Sequence, residues 1–298
     1  MERNSRLVCS IVLVAGCILL QQGCAPFKAS RVAAVGLTLQ DVAQAAAKQA
    51  DLTIIREGSP AYLMLLDGLL EAYPQNTELL TSACRAYSSY ASSFLSDEQQ
   101  AEAGALYQKA KLYGFRALST NHDFAAAAAG NLEEFQALLQ GYDKTSVPAL
   151  FCAVNAWASW ISGNLDKVEA IADLAPLEAT MRRLLELDES YYYGGPRLLM
   201  GVYLAAKPKE LGGNPAEALQ QFERAFALGA DQLLMSKVLY AQYYARSIKN
   251  RQLYEETLQL VLASPADRVP ELTLANTVAK REARNLLDKT EEYFAEQP

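Results

Sequence analysis

The residue types that usually carry out catalysis are sparse in this chain and do not fall into reactive patterns. The chain has one histidine, His122, which cannot form a multi-histidine metal site and which we interpret as a surface or helix-capping residue. Acidic pairs such as Glu133–Glu134, Glu255–Glu256 and Glu291–Glu292 are adjacent in sequence, so on a helix their side chains diverge. No nucleophile elbow, phosphate loop, dinucleotide fingerprint or zinc-protease motif occurs. The sequence therefore predicts a non-enzymatic protein without a cofactor or metal.

The cysteine with the clearest chemistry is Cys24, which closes a short N-terminal signal sequence. Two arginines precede an apolar run, Leu7–Leu20, which is too short to span a bilayer because spanning takes about 20 apolar residues. Gly23 then precedes Cys24, as a small residue does in a bacterial lipobox, although Gln21 stands where leucine is usual. This pattern predicts lipid attachment at Cys24. An ordinary signal peptide with a coincidental cysteine, or an uncleaved anchor, is the alternative.

This interpretation divides the chain into three parts. We expect a lipoprotein signal peptide at 1–23, a lipid-anchored linker at 24–37 and a helical domain at 38–298. Each buried CH₂ of an acyl chain contributes about 0.8 kcal/mol to membrane binding, so several chains would hold the protein firmly. The protein is then expected outside the cytoplasm, in contact with a membrane through its lipid anchor, and the sequence leaves the choice of membrane open.

The charge of the chain excludes some classes of partner. The net charge is −7, and it becomes −8 without residues 1–23 because two arginines and one glutamate leave. No basic patch stands out, which argues against nucleic acid and against electrostatic binding to anionic lipids. A hydrophobic content of 51% is ample for a large core.

Two further cysteines, Cys84 and Cys152, lie in apolar, alanine-rich stretches that we expect to be helical. A small buried residue suits close helix packing, so we expect two unpaired buried thiols. Pairing in an oxidising compartment is the alternative.

Helix-start patterns recur along the chain at a nearly constant interval. They begin at Ser59, Ser96, Asn131, Asn164, Asn214 and Asn250. Each places a good N-cap residue before a helix former. The spacings are 37, 35, 33, 50 and 36 residues, and a helical period near 34 is typical of tetratricopeptide-type hairpins. The interval of 50 predicts an insertion or an extra helix.

The sequence therefore predicts an all-α, tetratricopeptide-like α-solenoid of about five helical hairpins with a C-terminal capping helix. The hairpins are expected at about 38–74, 77–118, 147–188, 194–229 and 232–264, with a linking segment at 119–146 and the capping helix at about 271–296. Ala218, Phe222 and Ala225 fit the small-aromatic-small pattern of a second helix, as do Ala103, Tyr107 and Ala110. A generic helical bundle is the alternative.

Aromatic residues are the candidates for a binding surface, because they bury a large area while keeping a polar tip. The candidates for partner or ligand binding are Trp157, Trp160, Tyr191, Tyr192, Tyr193, Tyr203, Tyr240, Tyr243 and Tyr244. Helical repeats also use aromatic residues at fixed core positions, so we expect half or more of them to be core.

Several segments together resemble one known family. The closest stretch, Tyr191–Pro265, begins Tyr-Tyr-Tyr-Gly-Gly-Pro and contains the turn Leu211, Gly212, Gly213, Asn214 and Pro215. Between Gly201 and Ala218 this unit is five residues longer than the standard repeat. Upstream, Val147–Phe151 and Asn155–Ile161 are similar to the same family's third hairpin. Over roughly 35–295 the chain resembles the TatT family, the T-components of certain TRAP-type transporters, which are periplasmic tetratricopeptide lipoproteins.

The resemblance implies a transport-associated adaptor on the periplasmic side of the cell envelope. Family members are thought to form homotrimers with a central passage and to dock the transporter's soluble solute-binding protein. The solute is proposed to be a small hydrophobic or carboxylate-bearing molecule. The resemblance supplies no catalytic residue. The alternative function is a general cell-envelope scaffold that assembles other proteins.

Overall fold

The computed structural model describes residues 38–95, 99–120, 122–208 and 211–295. Every regular element within these ranges is a helix, which confirms the all-α fold class. The chain divides into two compact units, Met1–Ala45 and Ala46–Pro298. The first unit is described only from residue 38, where the chain is helical. All contacts reported below lie within the second unit.

The predicted signal peptide at 1–23, the lipid attachment residue Cys24 and the linker at 24–37 lie outside the described residues. They remain predictions, as does the division of the chain into the three parts inferred from sequence. The predicted helix start at Ser96 lies outside the described residues as well.

The helices follow one another with short connections. In chain order they are α1 at 38–47, α2 at Leu52–Ala72, α3 at Thr77–Phe94, α4 at Gln100–Leu118, α5 at Phe124–Ala128, α6 at Leu132–Leu139, α7 at Val147–Ser162, α8 at Val168–Ala172, α9 at Leu174–Asp188, α10 at Tyr191–Ala206, α11 at Pro215–Gly229, α12 at Met235–Leu239, α13 at Arg251–Ala263, α14 at Thr273–Asp288 and α15 at Thr290–Phe294. A π-helical segment, Tyr240–Ala245, continues directly from α12.

Three of the predicted helix starts are confirmed by their capping hydrogen bonds. The Asn131 side chain accepts from the backbone N–H groups of Glu133 and Glu134 at 2.9 and 3.1 Å and begins α6. Asn214 caps α11 and Asn250 caps α13 in the same way. These side chains satisfy N–H groups that have no partner within the helix, which is why the pattern is readable in the sequence.

Two of the predicted helix starts are wrong. Ser59 lies inside α2, which begins after Asp51, and its hydroxyl donates to the Ile55 carbonyl at 2.6 Å. A serine can satisfy its hydroxyl inside a helix in this way, so it does not have to cap one. Asn164 follows α7, where its amide donates to the Trp160 carbonyl at 2.7 Å, and α8 begins only after Lys167.

Neighbouring helices pack in pairs along most of the second unit. The most extensive contacts join α3 to α4 and α10 to α11, and α4 also packs on α7. The predicted linking segment at 119–146 contains two short helices, α5 and α6, and the interval of 50 residues holds α8, α9 and α10. Because helix pairs also occur in bundles, the tetratricopeptide-like solenoid and its number of hairpins remain predictions.

The last long helix returns to the beginning of the second unit. Helix α14 contacts α2, and the Arg281 guanidinium of α14 donates to the Ser93 carbonyl in α3. The same guanidinium lies 5.8 Å from the centre of the Phe94 ring. Lys48 and Glu271 form an ion pair of 3.4 Å nearby. These contacts therefore hold the two ends of the second unit together.

The core is dominated by aromatic rings that meet edge to face. The Phe124 ring lies 5.0 Å from Phe115 and 5.3 Å from Phe135, and the Phe115 ring lies 4.8 Å from Trp157. Phe124, Phe135 and Trp157 are fully buried. Burial of such side chains contributes about 2 kcal/mol each from area alone, and their offset geometry adds to this.

The expectation of two unpaired thiols was wrong, because Cys84 and Cys152 form a disulfide. The bond joins α3 to α7, with the two Cα atoms 6.2 Å apart. At this crossing a Cβ on Gly114 of α4 would lie 2.8 Å from the Ala153 Cα and 3.1 Å from the Cys84 Sγ. The small residues do permit close helix packing, and that same closeness brings the two sulfur atoms together.

The turn before α11 is built around two glycines. Gly212 has a φ of 93°, which side chains rarely adopt, and a Cβ on Gly213 would lie 1.9 Å from the Lys207 carbonyl oxygen. Asn214 donates its N–H to the Leu204 carbonyl, and Pro215 occupies the first turn of α11. Leu211 is exposed. The turn therefore needs these glycines for backbone reasons.

Candidate functional site

The start of α10 has an unusual backbone. Tyr192 and Tyr193 have positive φ values of 45° and 60°, and Gly194 follows at 79°. Two consecutive bulky residues in the left-handed region cost about 1–2 kcal/mol each, so surrounding contacts must hold them there. The segment lies between α9 and the regular part of α10.

Close packing and ion pairs hold this segment in place. A Cβ on Gly195 would lie 2.6 Å from the Phe151 ring, and a Cβ on Gly229 would lie 2.8 Å from the Tyr193 carbonyl oxygen. Just before the segment, the Glu189 carboxylate accepts from Arg197 of α10 and pairs with Arg224 of α11. The backbone is thus fixed against α7 and α11 at the same time.

The ion pairs of Glu189 predict a pH-dependent contribution to stability. Hydrogen bonds from Arg224 and Arg197 lower the pKa of Glu189 from 4.5 to about 2. Because the folded protein holds this carboxylate ionised, the contribution is complete above the usual pKa and is lost as the pH falls towards 2. Comparing urea unfolding of wild type and Glu189→Gln should give a difference that is steady from pH 7 to 5 and shrinks below pH 4. A difference that is constant down to pH 3 would contradict this assignment.

Tyr192 has an exposed ring and an enclosed hydroxyl group. Its side chain is 48% exposed, yet burial raises the pKa of its hydroxyl above the usual value. The ring lies 5.9 Å from the Phe151 ring, and the Tyr191 ring contacts Phe151 at 5.3 Å. The Tyr192 side chain thus packs on Phe151 and also meets solvent.

A second set of polar and aromatic groups comes from α3, α4, α7 and the π-helical segment. Burial raises the pKa of Tyr107 in α4 to about 12, and the approach of Tyr243 raises it further, while the hydroxyls of Ser92 and Ser159 oppose the shift. Burial likewise raises the pKa of Tyr243 in the π-helical segment, where the positive charge of Arg246 opposes the shift and the negative charge of Glu282 adds to it. Both tyrosines are half-buried.

The positive charge of one arginine acts on tyrosines of helices α2 and α10. Burial raises the pKa of Tyr62 in α2, and the positive charge of Arg85 opposes that shift. The same charge opposes the raised pKa of Tyr192. The charge of the exposed Arg85 thus acts on the hydroxyls of two tyrosines that belong to different helices.

The same two helices, α3 and α7, contribute residues to both sets. Arg85 and Ser92 are seven residues apart in α3, and Phe151 and Ser159 are eight residues apart in α7, so each pair shares a helix face. We call this the inner surface. It comprises Tyr62, Arg85, Ser92, Tyr107, Phe151, Ser159, Tyr192 and Tyr243.

Of the nine aromatic candidates from the sequence, only Tyr192 and Tyr243 belong to the inner surface. Tyr191 and Tyr193 are half-buried beside it. Trp157, Tyr203 and Tyr244 are buried, and they are therefore core residues in this structure.

Trp157 and Trp160 illustrate the difference between core and surface on one helix. The Trp157 indole N–H donates to the Asp173 carboxylate at 2.6 Å, and the Lys111 ammonium binds the same oxygen at 2.6 Å. That ammonium also lies 4.0 Å from the centre of the half-buried Trp160 ring. These contacts join α4, α7 and the start of α9, so Trp160 is covered by a cation from within the chain.

Tyr203 forms part of a polar cluster between α9 and α10. Its hydroxyl donates to the Glu178 carboxylate at 2.9 Å, and Lys207 donates to the same hydroxyl at 2.9 Å. Burial raises the pKa of Tyr203 well above its usual value, with the Glu178 charge adding to the shift. The donors and acceptors are satisfied within the cluster, and this indicates a structural role.

Tyr240 and Tyr244 pack together within the π-helical segment. Their rings stack with centres 5.0 Å apart, and the Tyr240 ring contacts the buried Phe222 at 5.3 Å. Tyr243, in the same segment, instead contributes to the raised pKa of Tyr107. A π-helical turn changes the angle between successive residues, and such turns are frequent at functional sites.

Sequence reasoning missed Tyr62, Arg85 and Phe151 as surface residues. They come from three different helices, and no motif in the sequence connects them. Tyr107 was noticed, but as a packing position of the repeat. Only the densest cluster, Tyr191–Tyr193, carried a signal that the sequence alone could reveal.

Several carboxylates in the described residues take part in helix-to-helix contacts. Asp67 accepts from Lys109, Tyr87 and Tyr113 at 2.6–2.7 Å, and these hydrogen bonds lower its pKa although burial opposes them. Within the part of the chain that the structure describes, no group of three or more His, Cys, Asp and Glu residues could hold a metal ion. No helix in that part combines the length and apolar character needed to cross a bilayer.

The geometry defines a class of protein: a helical protein whose inner surface is lined by aromatic rings, enclosed hydroxyl groups and one arginine, which suits binding. The family model described as TRAP transporter T-component (TAtT) matches residues 48–294. The chain therefore belongs to the TRAP transporter T-component family, as the resemblance indicated. This family is transport-associated, lies at the cell envelope and is not enzymatic. No curated protein matches the sequence significantly.

Proposed function

We propose that this protein is a non-catalytic periplasmic adaptor of a TRAP-type transport system. It is anchored by lipid on Cys24, docks the solute-binding protein of the system, and binds or passes a small hydrophobic or carboxylate-bearing ligand. The observation that carries this proposal is the family match over residues 48–294, which covers the helices that form the inner surface.

The inner surface supports the ligand-binding part of the proposal. Ligand sites are concave and mostly apolar, with a few polar groups that fix orientation. Phe151, Tyr192 and Tyr243 supply aromatic area, and Ser92 and Ser159 supply hydroxyls in the same region. Tyrosine hydroxyls that are already enclosed by protein lose little further hydration when a ligand enters.

Exposed apolar residues support the docking and self-association parts of the proposal. Met64 and Leu65 of α2 are 74% and 52% exposed, and Ile54 on the same helix is also exposed. Val168 of α8 is 80% exposed, and Ile171 lies one turn further along. Exposed apolar side chains of this kind are available for protein interfaces, such as those of a homotrimer that also binds a solute-binding protein.

One experiment tests both the assembly and the docking. The full chain in lipid nanodiscs is mixed with the solute-binding protein of the same system, and mass is measured by light scattering after size exclusion. We expect a trimer that binds the solute-binding protein, because this assembly follows from the adaptor role. Replacing Tyr192 and Tyr193 with alanine should weaken the binding of the partner or of the ligand about ten-fold or more and leave helicity unchanged.

Tyr73→Ala is the matched control, since Tyr73 is half-buried at the end of α2 and lies outside the inner surface. It should bind as the wild type does. A monomer that binds no solute-binding protein would refute the adaptor role and favour the general envelope scaffold. Loss of helicity in the Tyr192 and Tyr193 variant would instead show that these tyrosines hold the fold.

A further inference from the structure

One face of helix α2 is apolar although it is exposed to solvent. Ile54 and Leu65 on this face are 58% and 52% exposed, and the adjoining Met64 is 74% exposed. The face consists of six exposed positions at alternating intervals of four and three residues, a spacing that keeps residues on one side of a helix. We call these positions the α2 face. They are Ile54, Gly58, Ala61, Leu65, Gly68 and Ala72.

The α2 face lies on the side of the helix that is turned away from the core. The core side is formed by Leu63, Leu66 and Leu70, which are buried. A helix that is apolar on both sides is normally covered on both sides. We therefore expect the α2 face to be covered by a surface from outside the described residues.

Two glycines indicate what kind of surface covers the α2 face. Gly58 and Gly68 both lie inside the helix, and a Cβ on either would meet no atom within 4 Å in the described part of the chain. Glycine stabilises a helix less than alanine does, and no contact within the chain requires it here. Glycines let a second helix approach closely, whereas they would add little apolar area to a face that lies on lipid. The α2 face therefore fits a helix better than a membrane.

The sizes of the side chains match a second copy of the same face in the antiparallel direction. With a two-fold axis midway between Ala61 and Leu65, each large side chain lies opposite a small one, and glycine lies opposite glycine at the closest approach. The pairs are Ile54 with Ala72, Gly58 with Gly68, and Ala61 with Leu65. In the parallel direction each residue would meet its own copy, so large side chains would hold the helices apart and leave gaps beside the glycines. The sizes therefore favour the antiparallel direction.

The charge and the length of the α2 face determine how strong such a pair is. None of the six positions is charged, so pairing buries no ion. On one flank Glu57 comes near Glu71 of the second copy, but both are exposed, so salt screens their repulsion. Helix geometry makes the face about 27 Å long, which places the contact at the low end of stable interface sizes. The pair is therefore expected to form in the micromolar range and to strengthen with salt.

We infer that two copies of this chain pair through the α2 face, antiparallel and about a two-fold axis. This inference goes beyond the proposed function. A ring of three copies contains no two-fold axis, so the pairing is a separate contact from the proposed homotrimer. It joins two single chains or two such rings.

Cross-linking in the membranes of producing cells tests the direction of the pair. The full-length variants Gly58→Cys and Gly68→Cys carry different tags and are produced separately and together. We expect a disulfide between copies only when both variants are present, because the antiparallel pair places the two positions opposite each other. Wild type is the blank, since its Cys84 and Cys152 are bonded to each other. A cross-link of either variant with itself would show a parallel pair and overturn the inference.

Sedimentation equilibrium of the purified full chain in detergent measures the strength of the pair. The mass of the wild type should double as the concentration rises through the micromolar range, whether the starting species is a single chain or a trimer. Gly58→Leu should weaken this association about ten-fold or more, because the new side chain fills the space of the second helix. Its thermal stability should stay the same or rise, since leucine favours the helix and a Cβ there meets no atom of its own chain.

Gly104→Leu is the matched control, because a Cβ on Gly104 of α4 also meets no atom within 4 Å and this residue lies outside the α2 face. It should associate as the wild type does. The inference is overturned if the wild-type mass does not change with concentration, if Gly58→Leu associates normally, or if both leucine variants lose association equally. A cross-link to a different protein would also overturn it and assign the α2 face to that partner. Binding of the solute-binding protein is measured separately, so the adaptor role stands or fails independently.

Discussion

Replacing both Cys84 and Cys152 with alanine is expected to lower the free energy of unfolding by about 4 kcal/mol. The disulfide closes a loop of 68 residues, and removing such a constraint frees the unfolded chain by about this amount. Urea unfolding followed by far-ultraviolet circular dichroism, without reducing agent, measures the change. The loss is a large part of the stability of a typical domain, which is about 5–15 kcal/mol.

The single variant Cys84→Ala provides the control, because removal of either partner removes the bond. It should lose nearly as much stability as the double variant. Adding a reducing agent should destabilise the wild type and leave the double variant unaffected. Equal stability of wild type and double variant would show that the bond does not form in the folded protein.

Trp157→Ala should lower the free energy of unfolding by about 4 kcal/mol, whereas Trp160→Ala should lower it by about 1 kcal/mol. Trp157 is fully buried and its N–H is paired with Asp173, so its removal leaves a cavity and takes one hydrogen bond from that carboxylate, which keeps its ion pair with Lys111. Trp160 is half-buried and mainly loses its contact with Lys111. Urea unfolding of the two variants measures both changes.

These two tryptophans are three residues apart on one helix, so each serves as the control for the other. Similar losses in both variants would contradict the assignment of Trp157 to the core and of Trp160 to its edge. A Trp157→Phe variant separates the two causes, since it keeps most of the volume and loses only the hydrogen bond. We expect it to lose about 1–2 kcal/mol.

Features that depend on a few adjacent residues could be predicted from the sequence. Asn131, Asn214 and Asn250 cap helices because their side chains satisfy N–H groups two or three residues away. The same reasoning gave a wrong prediction at Ser59, because its hydroxyl donates to a carbonyl within the helix. The all-helical fold followed from the recurrence of these local signals.

Features that depend on packing between distant helices could not be predicted. Cys84 and Cys152 meet because α4 approaches α7 at Gly114 and Ala153, and their pairing is not encoded in the spacing of the cysteines. The sequence showed two cysteines in helical stretches, which is equally compatible with separate thiols.

Most of the residues of the candidate site could not be predicted from the sequence for the same reason. Phe222 and Tyr107 occupy equivalent positions of the predicted repeat, yet Phe222 is fully buried while Tyr107 is half-buried on the inner surface. The repeat pattern predicts on which face of its own helix a side chain lies. Whether that side chain is buried depends on how another helix packs against this face. Arg85 was missed for this reason as well, since its neighbours Tyr62 and Tyr192 come from other parts of the chain.

The contact between α14 and α2 restricts where related proteins can gain or lose residues. In an open array of repeats each unit touches only its neighbours, so copies can be gained or lost at the ends. Here the Arg281 bond to Ser93 ties the last long helix to the first ones. An added helix pair would push these partners apart, and we therefore expect differences in length among relatives to fall in surface turns such as the one between Lys207 and Pro215.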